Sequence, residues 1–294
     1  MRVELAEKAG FCFGVSRAVD LVYKEALKKE QPVYTYGPII HNEEVTADLE
    51  KKGVRIIHTA EEAVNVSTGT VILRSHGVSR SEEETLAGAG LTIVDATCPY
   101  VKRIHRIVRE YSEKGYLILV IGSADHPEVE GIVGWTIPGS SRVVFSTEEA
   151  ADLNLNGCNK ICIVAQTTFH HKKFKDMVEI IRKKVYDSKS TVENDIKFEV
   201  HNTICSATRE RQEAARVLSA QVDAMIVIGG TSSSNTRKLC EICSEHCQNT
   251  YFIQTKEDLP VTDFSRFDYV GITAGASTPK NIIEEVQKYV RNEL

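Results

Sequence analysis

The 294-residue sequence lacks the features of several protein classes. Its formal net charge is −5, so it has no general electrostatic attraction to nucleic acid. Its longest apolar runs, such as Leu117–Ile121, are far too short to cross a bilayer, so no membrane span is expected. The first ten residues lack the charged-then-apolar layout of a secretory signal, which predicts a cytoplasmic protein.

Nucleotide-binding motifs and long linkers are also missing. No GxGxxG opens a helix, and the sequence GGTSSSN at residues 229–235 lacks the lysine of a phosphate loop. A nicotinamide or ATP site is therefore not expected. The chain has no stretch rich in proline or glycine, and residues 187–195 form its one strongly polar stretch. We interpret that stretch as a boundary between units.

One pattern occurs three times in the chain. It begins with Cys12, Cys98 and Cys205, each of which follows an apolar segment and opens a helix-like run with an arginine soon after. The first polar tips after a strand are His41, His126 and Ser233, at offsets of 29, 28 and 28 residues from the cysteines. The second are His76, Thr167 and Ser277, at offsets of 64, 69 and 72 residues. This repeat predicts three similar units about a pseudo-symmetry axis.

The periodicity within each unit predicts an α/β fold. Apolar residues recur at helical spacing after each cysteine, and continuously apolar runs indicate strands that are covered on both faces. Alternating strands and helices predict mostly parallel sheets, whose strand ends carry the polar tips. We expect three α/β units, at residues 1–97, 98–195 and 196–294, with the strand ends facing one centre.

Three repeat-related cysteines at helix N-termini suit a metal centre, because free N–H groups there stabilise thiolates. Zinc usually takes a fourth protein ligand, whereas an iron–sulfur cube held by three cysteines leaves one iron open. Three buried thiols without a metal are the simpler alternative. Cys240, Cys243 and Cys247 form a CxxCxxxC pattern beside His246, but their helical spacing favours core packing, as we also expect for Cys158 and Cys162.

The polar tips offer imidazoles, hydroxyls and amides, which suit a small phosphorylated ligand. They comprise His41, Asn42, His76, His126, Thr167, Thr168, Ser233, Ser234, Asn235, Ser277 and Thr278. Glu128 lies in one of them, within the sequence ADHPEVEG. In a water-poor site this carboxyl would keep its proton and act as a general acid; the alternative is stabilisation of a helix start.

With these residues assembled, the chain resembles the 4-hydroxy-3-methylbut-2-enyl diphosphate reductases from end to end. The matching motifs are AGFCFGV, GPIIHN, RSHGV, DATCP, DHPEV, AQTT, TICSATRERQ, SSSNTRKL and TAGASTP. The resemblance implies a trefoil around a [4Fe–4S] cluster with one iron open to substrate. It assigns the cluster to Cys12, Cys98 and Cys205, and proton donation to Glu128. It assigns the substrate to His41, His76, His126, Thr167, Thr168, Ser233, Ser234, Asn235 and Ser277.

The implied reaction is the reductive dehydroxylation of an allylic diphosphate to isopentenyl and dimethylallyl diphosphate, the last step of the methylerythritol phosphate route. The electrons would come from an external ferredoxin or flavodoxin, and the basic run at residues 170–175 would dock it or be a solvated helix face. We expect a monomer, because the site is complete in one chain. Two alternatives are a redox-neutral [4Fe–4S] hydro-lyase and a metal-binding regulator that uses Cys240, Cys243, Cys247 and His246.

Overall fold

The computed structural model describes residues 1–28, 31–66, 68–187, 196–259 and 264–292. Of the polar stretch at residues 187–195, only residue 187 is among them, so the boundary predicted there lies outside the described residues. The strands are β1 (Arg2–Leu5), β2 (Val33–Tyr36), β3 (Arg55–Ile57), β4 (Thr70–Leu73), β5 (Thr92–Asp95), β6 (Leu117–Ile121), β7 (Ser141–Val144), β8 (Lys160–Ala165), β9 (Lys197–Val200), β10 (Ala224–Ile228), β11 (Thr250–Ile253) and β12 (Tyr269–Ala274).

Helices alternate with these strands. They are α1 (Phe13–Lys28), α2 (Glu43–Lys51), α3 (Ala60–Val64), α4 (Arg80–Gly88), α5 (Pro99–Glu113), α6 (Pro127–Gly134), α7 (Thr147–Asp152), α8 (His171–Asp187), α9 (Ser206–Ser219), α10 (Ser234–His246) and α11 (Lys280–Asn292). Two short 3₁₀ helices cover Lys256–Asp258 and Phe264–Arg266. None of the described helices is long and apolar enough to cross a membrane.

The strands form three parallel four-stranded sheets, which confirms the predicted α/β class. Their orders are β3-β2-β4-β5, β7-β6-β8-β9 and β11-β10-β12-β1. The three sheets share one arrangement. The strands β2, β6 and β10 each pair with the next strand of the chain on one side and with the strand after that on the other side. A fourth strand then lies outside β4, β8 and β12. In the last sheet that fourth strand is β1, which comes from the start of the chain and pairs with β12 from Arg2 beside Tyr269 to Leu5 beside Ile272.

Strand pairing is relevant to where one predicted repeat ends and the next begins. β1 lies beside β12, and β9 lies beside β8, with Lys160 opposite Lys197. The chain divides into two compact units, residues 1–56 with residues 206–294, and residues 57–205. The three-unit boundaries at 97/98 and 195/196 stay a prediction.

The apolar strands are buried as their sequences predict. All five residues of β10 and all but the first residue of β6 and of β8 are buried. In α1, the predicted apolar stripe Val15, Ala18, Val19 and Val22 is buried. Pro99 occupies the first position of α5, and Gly115 follows that helix with φ +78°, as a stop signal should. Local periodicity therefore placed the elements that carry the polar tips.

Candidate functional site

The three repeat-related cysteines share one backbone arrangement. Each lies just before a helix, and its N–H donates to a carbonyl in the loop that follows a neighbouring parallel strand. The donor–acceptor pairs are Cys12 to Ala276 at 3.3 Å, Cys98 to Ser75 at 3.0 Å, and Cys205 to Thr167 at 3.2 Å. The hydrogen bonds fix each cysteine beside the second polar tip of its sheet.

In the first compact unit, formed by residues 1–56 and 206–294, a buried arginine holds the Cys12 loop. Arg211 is 2% exposed, and its Nη2 donates to the carbonyl of Gly10 at 2.6 Å. Gly10 has φ +90°, a conformation that side chains rarely tolerate, so glycine is needed there. Arg211 lies in the segment TRERQ, but nothing in the sequence predicted that it supports Cys12, because the two residues are far apart in the chain.

Asn235 is the second polar residue of this unit that contacts the Cys12 loop. It lies in the first turn of α10, which begins after its N-cap Ser233, and its Oδ1 accepts the N–H of Ala276 at 2.9 Å. Asn235 is 3% exposed, and its Nδ2 has no hydrogen-bond partner among the described residues. A buried amide donor that lacks a partner is costly, and a bound ligand is one way to satisfy it.

His41 lies in a loop held against the α10 loop. A Cβ on Gly230 would come within 2.8 Å of the carbonyl of His41, so the two backbones need glycine to pack this closely. Asn42 caps α2 by accepting the N–H of Val45 at 3.0 Å. Ser234 and Ser277 are half-buried, while Thr278 is buried and donates to the carbonyl of Ile228 at 3.0 Å.

In the second compact unit, formed by residues 57–205, Glu128 is buried at the start of α6. It is 2% exposed; its Oε1 accepts the N–H of Thr167 at 2.6 Å, and its Oε2 accepts the hydroxyl of Thr167 at 2.7 Å. Burial raises the pKa of Glu128 to about 7, against the lowering effect of the two Thr167 hydrogen bonds. A carboxyl that holds its proton up to neutral pH suits proton donation, one of the two roles that the sequence left open for Glu128.

A pair of histidines adjoins the start of α6, where His126 lies two residues before Glu128 and its ring contacts that of His76. His126 is the N-cap of α6, and its Nδ1 accepts the N–H of Glu128 at 3.1 Å. In the neutral ring the proton therefore lies on Nε2, which becomes the donor. The ring of His76 lies edge-on to that of His126, with centroids 5.5 Å apart. The second unit thus brings together His76, His126, Glu128, Thr167 and the loop of Cys205.

Gln166 is a site residue that the sequence reasoning did not single out. It is 2% exposed, its Oε1 accepts the N–H of Ser123 at 3.3 Å, and its Nε2 has no hydrogen-bond partner among the described residues. Its position in the tip AQTT, directly before Thr167, was the available signal. Thr168, on the other side of Thr167, is half-buried.

The comparisons identify the family. The family model described as LytB protein matches residues 3–291. The chain belongs to the LytB family. Among curated LytB relatives, the 4-hydroxy-3-methylbut-2-enyl diphosphate reductase of Caldanaerobacter subterraneus subsp. tengcongensis is 45% identical over 293 residues, 99% of this chain and 97% of the relative. The enzyme of the same name from Geobacter sulfurreducens is 44% identical over 286 residues, 97% and 95% of the two chains.

Solved LytB structures share the fold. The E-1-hydroxy-2-methyl-but-2-enyl-4-diphosphate reductase of Plasmodium falciparum matches with a TM-score of 0.87 at 29% identity, over 99% of this chain and 87% of that one. A second structure, described as the terminal enzyme of the non-mevalonate pathway, matches with a TM-score of 0.69 at 39% identity, over 99% of both chains. LytB reductases are iron–sulfur enzymes, so this chain needs residues that can hold such a group.

The eight cysteines differ in how well they suit that role. Cys12, Cys98 and Cys205 are half-buried at helix starts, where anionic ligands are favoured. By contrast, burial raises the pKa of Cys162 and of Cys243 to about 12, which holds both as neutral thiols. Cys243 and Cys247 lie in an apolar core cluster, and Cys240 packs against it. Cys240 and Cys243 therefore lie in α10 and Cys247 is its C-cap residue, and all three take part in core packing.

Proposed function

We propose that the chain catalyses the reductive dehydroxylation of 4-hydroxy-3-methylbut-2-enyl diphosphate to isopentenyl and dimethylallyl diphosphate. The observation that carries this proposal is the link from Glu128 through Thr167 to Cys205. Thr167 holds the carboxyl of Glu128, which keeps its proton to about pH 7. The carbonyl of Thr167 accepts the N–H of Cys205, a proposed cluster ligand. This arrangement supports proton delivery beside a redox centre.

The reaction needs two electrons and two protons for each substrate. The allylic C–O bond breaks, one proton leaves with the hydroxyl as water, and the second is added to carbon at either end of the allyl group. Addition at the two ends gives the two products. The electrons come singly from an external donor protein of the ferredoxin or flavodoxin kind, which is oxidised twice per turnover.

Cys12, Cys98 and Cys205 are the residues proposed to hold the cofactor, a [4Fe–4S] cluster with its fourth iron open to substrate and the three sheets grouped around it as a trefoil. When bound, the cluster would supply the electrons and a Lewis acid for the departing hydroxyl. The fit rests on the donor set, since these three cysteines are half-buried at helix starts and the thiols of Cys162 and Cys243 are held neutral by burial.

Glu128 is proposed as the proton donor, and Thr167 as its partner. The Thr167 N–H and hydroxyl hold both carboxyl oxygens, which fixes the direction in which the proton is presented. Thr167 and the adjacent Thr168 would also help to hold the substrate hydroxyl. The buried position excludes bulk water, which raises the pKa of the carboxyl to about 7.

The diphosphate is proposed to bind to neutral donors rather than to lysines. These donors are His41, His76, His126, Ser233, Ser234, Asn235 and Ser277. Asn235 supports this most directly, because its buried Nδ2 lacks a partner among the described residues. His126 supports it through its ring, since Nδ1 accepts a backbone N–H and leaves the proton on Nε2.

An anaerobic turnover assay tests the proposal. The iron- and sulfide-reconstituted protein, supplied with the substrate and reduced methyl viologen, should give both products and consume two viologen radicals per product. A hydro-lyase would instead consume substrate without reductant. Failure to turn over with reductant and a full complement of iron would overturn the proposal. The cytoplasmic location, the monomeric state and the native donor remain predictions.

A further inference from the structure

Helix α5, which begins directly after Cys98, has an outer face unlike that of the other cysteine-led helices. Its inner stripe is buried and includes Val101, Ile104 and Val108. The opposite side exposes the first residues of the helix: Pro99, Tyr100, Lys102, Arg103 and Arg106. We call Tyr100, Arg103 and Arg106, which follow one another at helical spacing, the basic face of α5.

The charge on this face is not balanced locally. From Pro99 to Arg109 the helix contains four cations and no acid. Lys102 pairs with Asp95, and Arg109 with Glu113. Arg103 and Arg106 have no hydrogen bond or ion pair with any of the described residues, so two guanidinium groups remain unpaired on a chain whose net charge is −5.

The helices after the other two cysteines differ. In α1 a cation at Arg17 is followed one turn later by Asp20. In α9 the exposed Arg209 is followed at once by Glu210, and Arg216 pairs with Glu213. The repeat therefore gives three equivalent helix starts, and of the three only α5 has no acid within its first eleven residues; Glu110, which follows, is paired with Lys114.

A cavity of about 410 Å³ borders the basic face of α5. On the helix side it is lined by Pro99, Lys102 and Arg106, and Trp135 closes another wall. Two acids, Glu83 and Asp95, also line it, and Asp95 is the partner of Lys102. The surface beside Arg106 is thus concave, which lets a partner's side chain enter.

We propose that the basic face of α5 is the docking surface for an acidic protein that carries single electrons. The proposal rests on the proposed function, because it requires a redox centre at Cys98. A helix rises about 1.5 Å per residue, so Arg106 lies about 12 Å along the axis from Cys98. A donor seated here has a short path to the proposed cluster, and each docking event passes one electron while the donor is oxidised by one.

Two physical effects favour this partner. Unpaired arginines steer an acidic partner during diffusion and raise its association rate, an effect that salt screens. Tyrosine and arginine are also the side chains most enriched among residues that dominate binding energy, and Tyr100 is 43% exposed at the end of the face nearest Cys98. The run of lysines on α8, the docking surface considered from sequence, has acids within its first three turns, at Asp176 and Glu179.

Charge reversal tests the proposal with two assays. The double variant Arg103→Glu/Arg106→Glu should lower kcat/KM for a reduced ferredoxin or flavodoxin by at least about tenfold at low salt, and flatten its salt dependence. Turnover with reduced methyl viologen, which needs no docking, should stay at the parent value. The matched control, Lys172→Glu/Lys173→Glu on α8, makes the same change in charge and should leave both assays unchanged.

Each outcome decides between distinct ideas. An unchanged donor-supported rate and salt dependence in the α5 variant would overturn the docking proposal, and a loss confined to the α8 variant would move the surface to α8. Equal losses in both assays would mean that the α5 substitutions damage the enzyme itself. In that case Tyr100→Ala, which leaves the charges in place, tests the basic face of α5. The proposal then requires that this variant lower only the donor-supported rate. Absence of viologen-supported turnover in the parent would instead count against the proposed function.

Discussion

The starts of α6 and α10 carry two versions of the same local arrangement. In each, the second residue after the N-cap turns its side-chain oxygen toward a loop beyond a parallel strand. Glu128 accepts the N–H of Thr167, and Asn235 accepts the N–H of Ala276. The carbonyls of those two loop residues in turn receive the N–H groups of Cys205 and Cys12.

The difference lies in the chemistry of the two side chains. Glu128 is a carboxyl with both oxygens held, because Thr167 adds a hydroxyl that Ala276 does not have. Asn235 is an amide that cannot titrate and keeps a buried N–H₂ group without a partner among the described residues. One backbone arrangement therefore holds a titratable carboxyl in one repeat and a neutral amide in the other.

The largest expected effect comes from making α6 resemble α10. Glu128→Gln keeps the shape of the side chain but removes its proton, so kcat should fall by about 10²–10⁴-fold, the usual contribution of a general acid. Viologen-supported turnover measures the loss, and iron content should be unchanged. Glu130→Gln, at an exposed position of the same helix, should behave like the parent. Parent-like turnover in Glu128→Gln would remove Glu128 from the mechanism.

The reverse exchange makes α10 resemble α6. Asn235→Asp keeps the acceptor for Ala276 but replaces the N–H₂ donor with oxygen, which repels a diphosphate. Loss of a hydrogen bond to a charged group costs about 1.5–3 kcal/mol, so KM should rise roughly 10–150-fold while iron content stays constant. Asn281→Asp, at an exposed position of α11 in the same compact unit, provides the control. An unchanged KM would show that Asn235 does not face the substrate.

The pH dependence of turnover tests the titration of Glu128. Its pKa is raised to about 7, so the carboxyl donates below that pH and loses its proton as the pH rises through it. We expect kcat/KM to fall by about tenfold per pH unit above pH 7, and Glu128→Gln to lose this limb. A profile in which activity rises through pH 7 would contradict general-acid action by this residue.

The smallest expected effect comes from Thr167→Ala. This variant has alanine in the loop beside α6, as the loop beside α10 does at Ala276. The Thr167 hydroxyl lowers the pKa of Glu128, so its removal should move the falling limb of the pH profile to higher pH. Turnover at pH 7 should fall by about tenfold or less, as expected for one hydrogen bond. Thr167→Ser restores the hydroxyl and should return the falling limb of the pH profile to its parent position. If Thr167→Ser shows the same shift as Thr167→Ala, the hydroxyl has no role in setting the pKa of Glu128.

Much of the fold was predictable from local patterns. Cysteine spacing indicated the repeat, and the apolar runs became buried parallel strands. Pairing of β1 with β12 was not predictable, because those strands lie at opposite ends of the chain and periodicity carries no information about partners. Gln166 and Arg211 were missed for a related reason, since their importance comes from burial and from distant contacts rather than from a motif.

The sequence by itself determined which residues follow the strands and begin the helices, because helical and strand periods are local properties of the chain. It therefore determined the positions of the three cysteines, the polar tips and Glu128. Only the tertiary structure decided that Glu128 is buried against Thr167, which is 39 residues away, and that its pKa rises to about 7. Burial depends on what the rest of the chain packs around a group, so no local pattern encodes it.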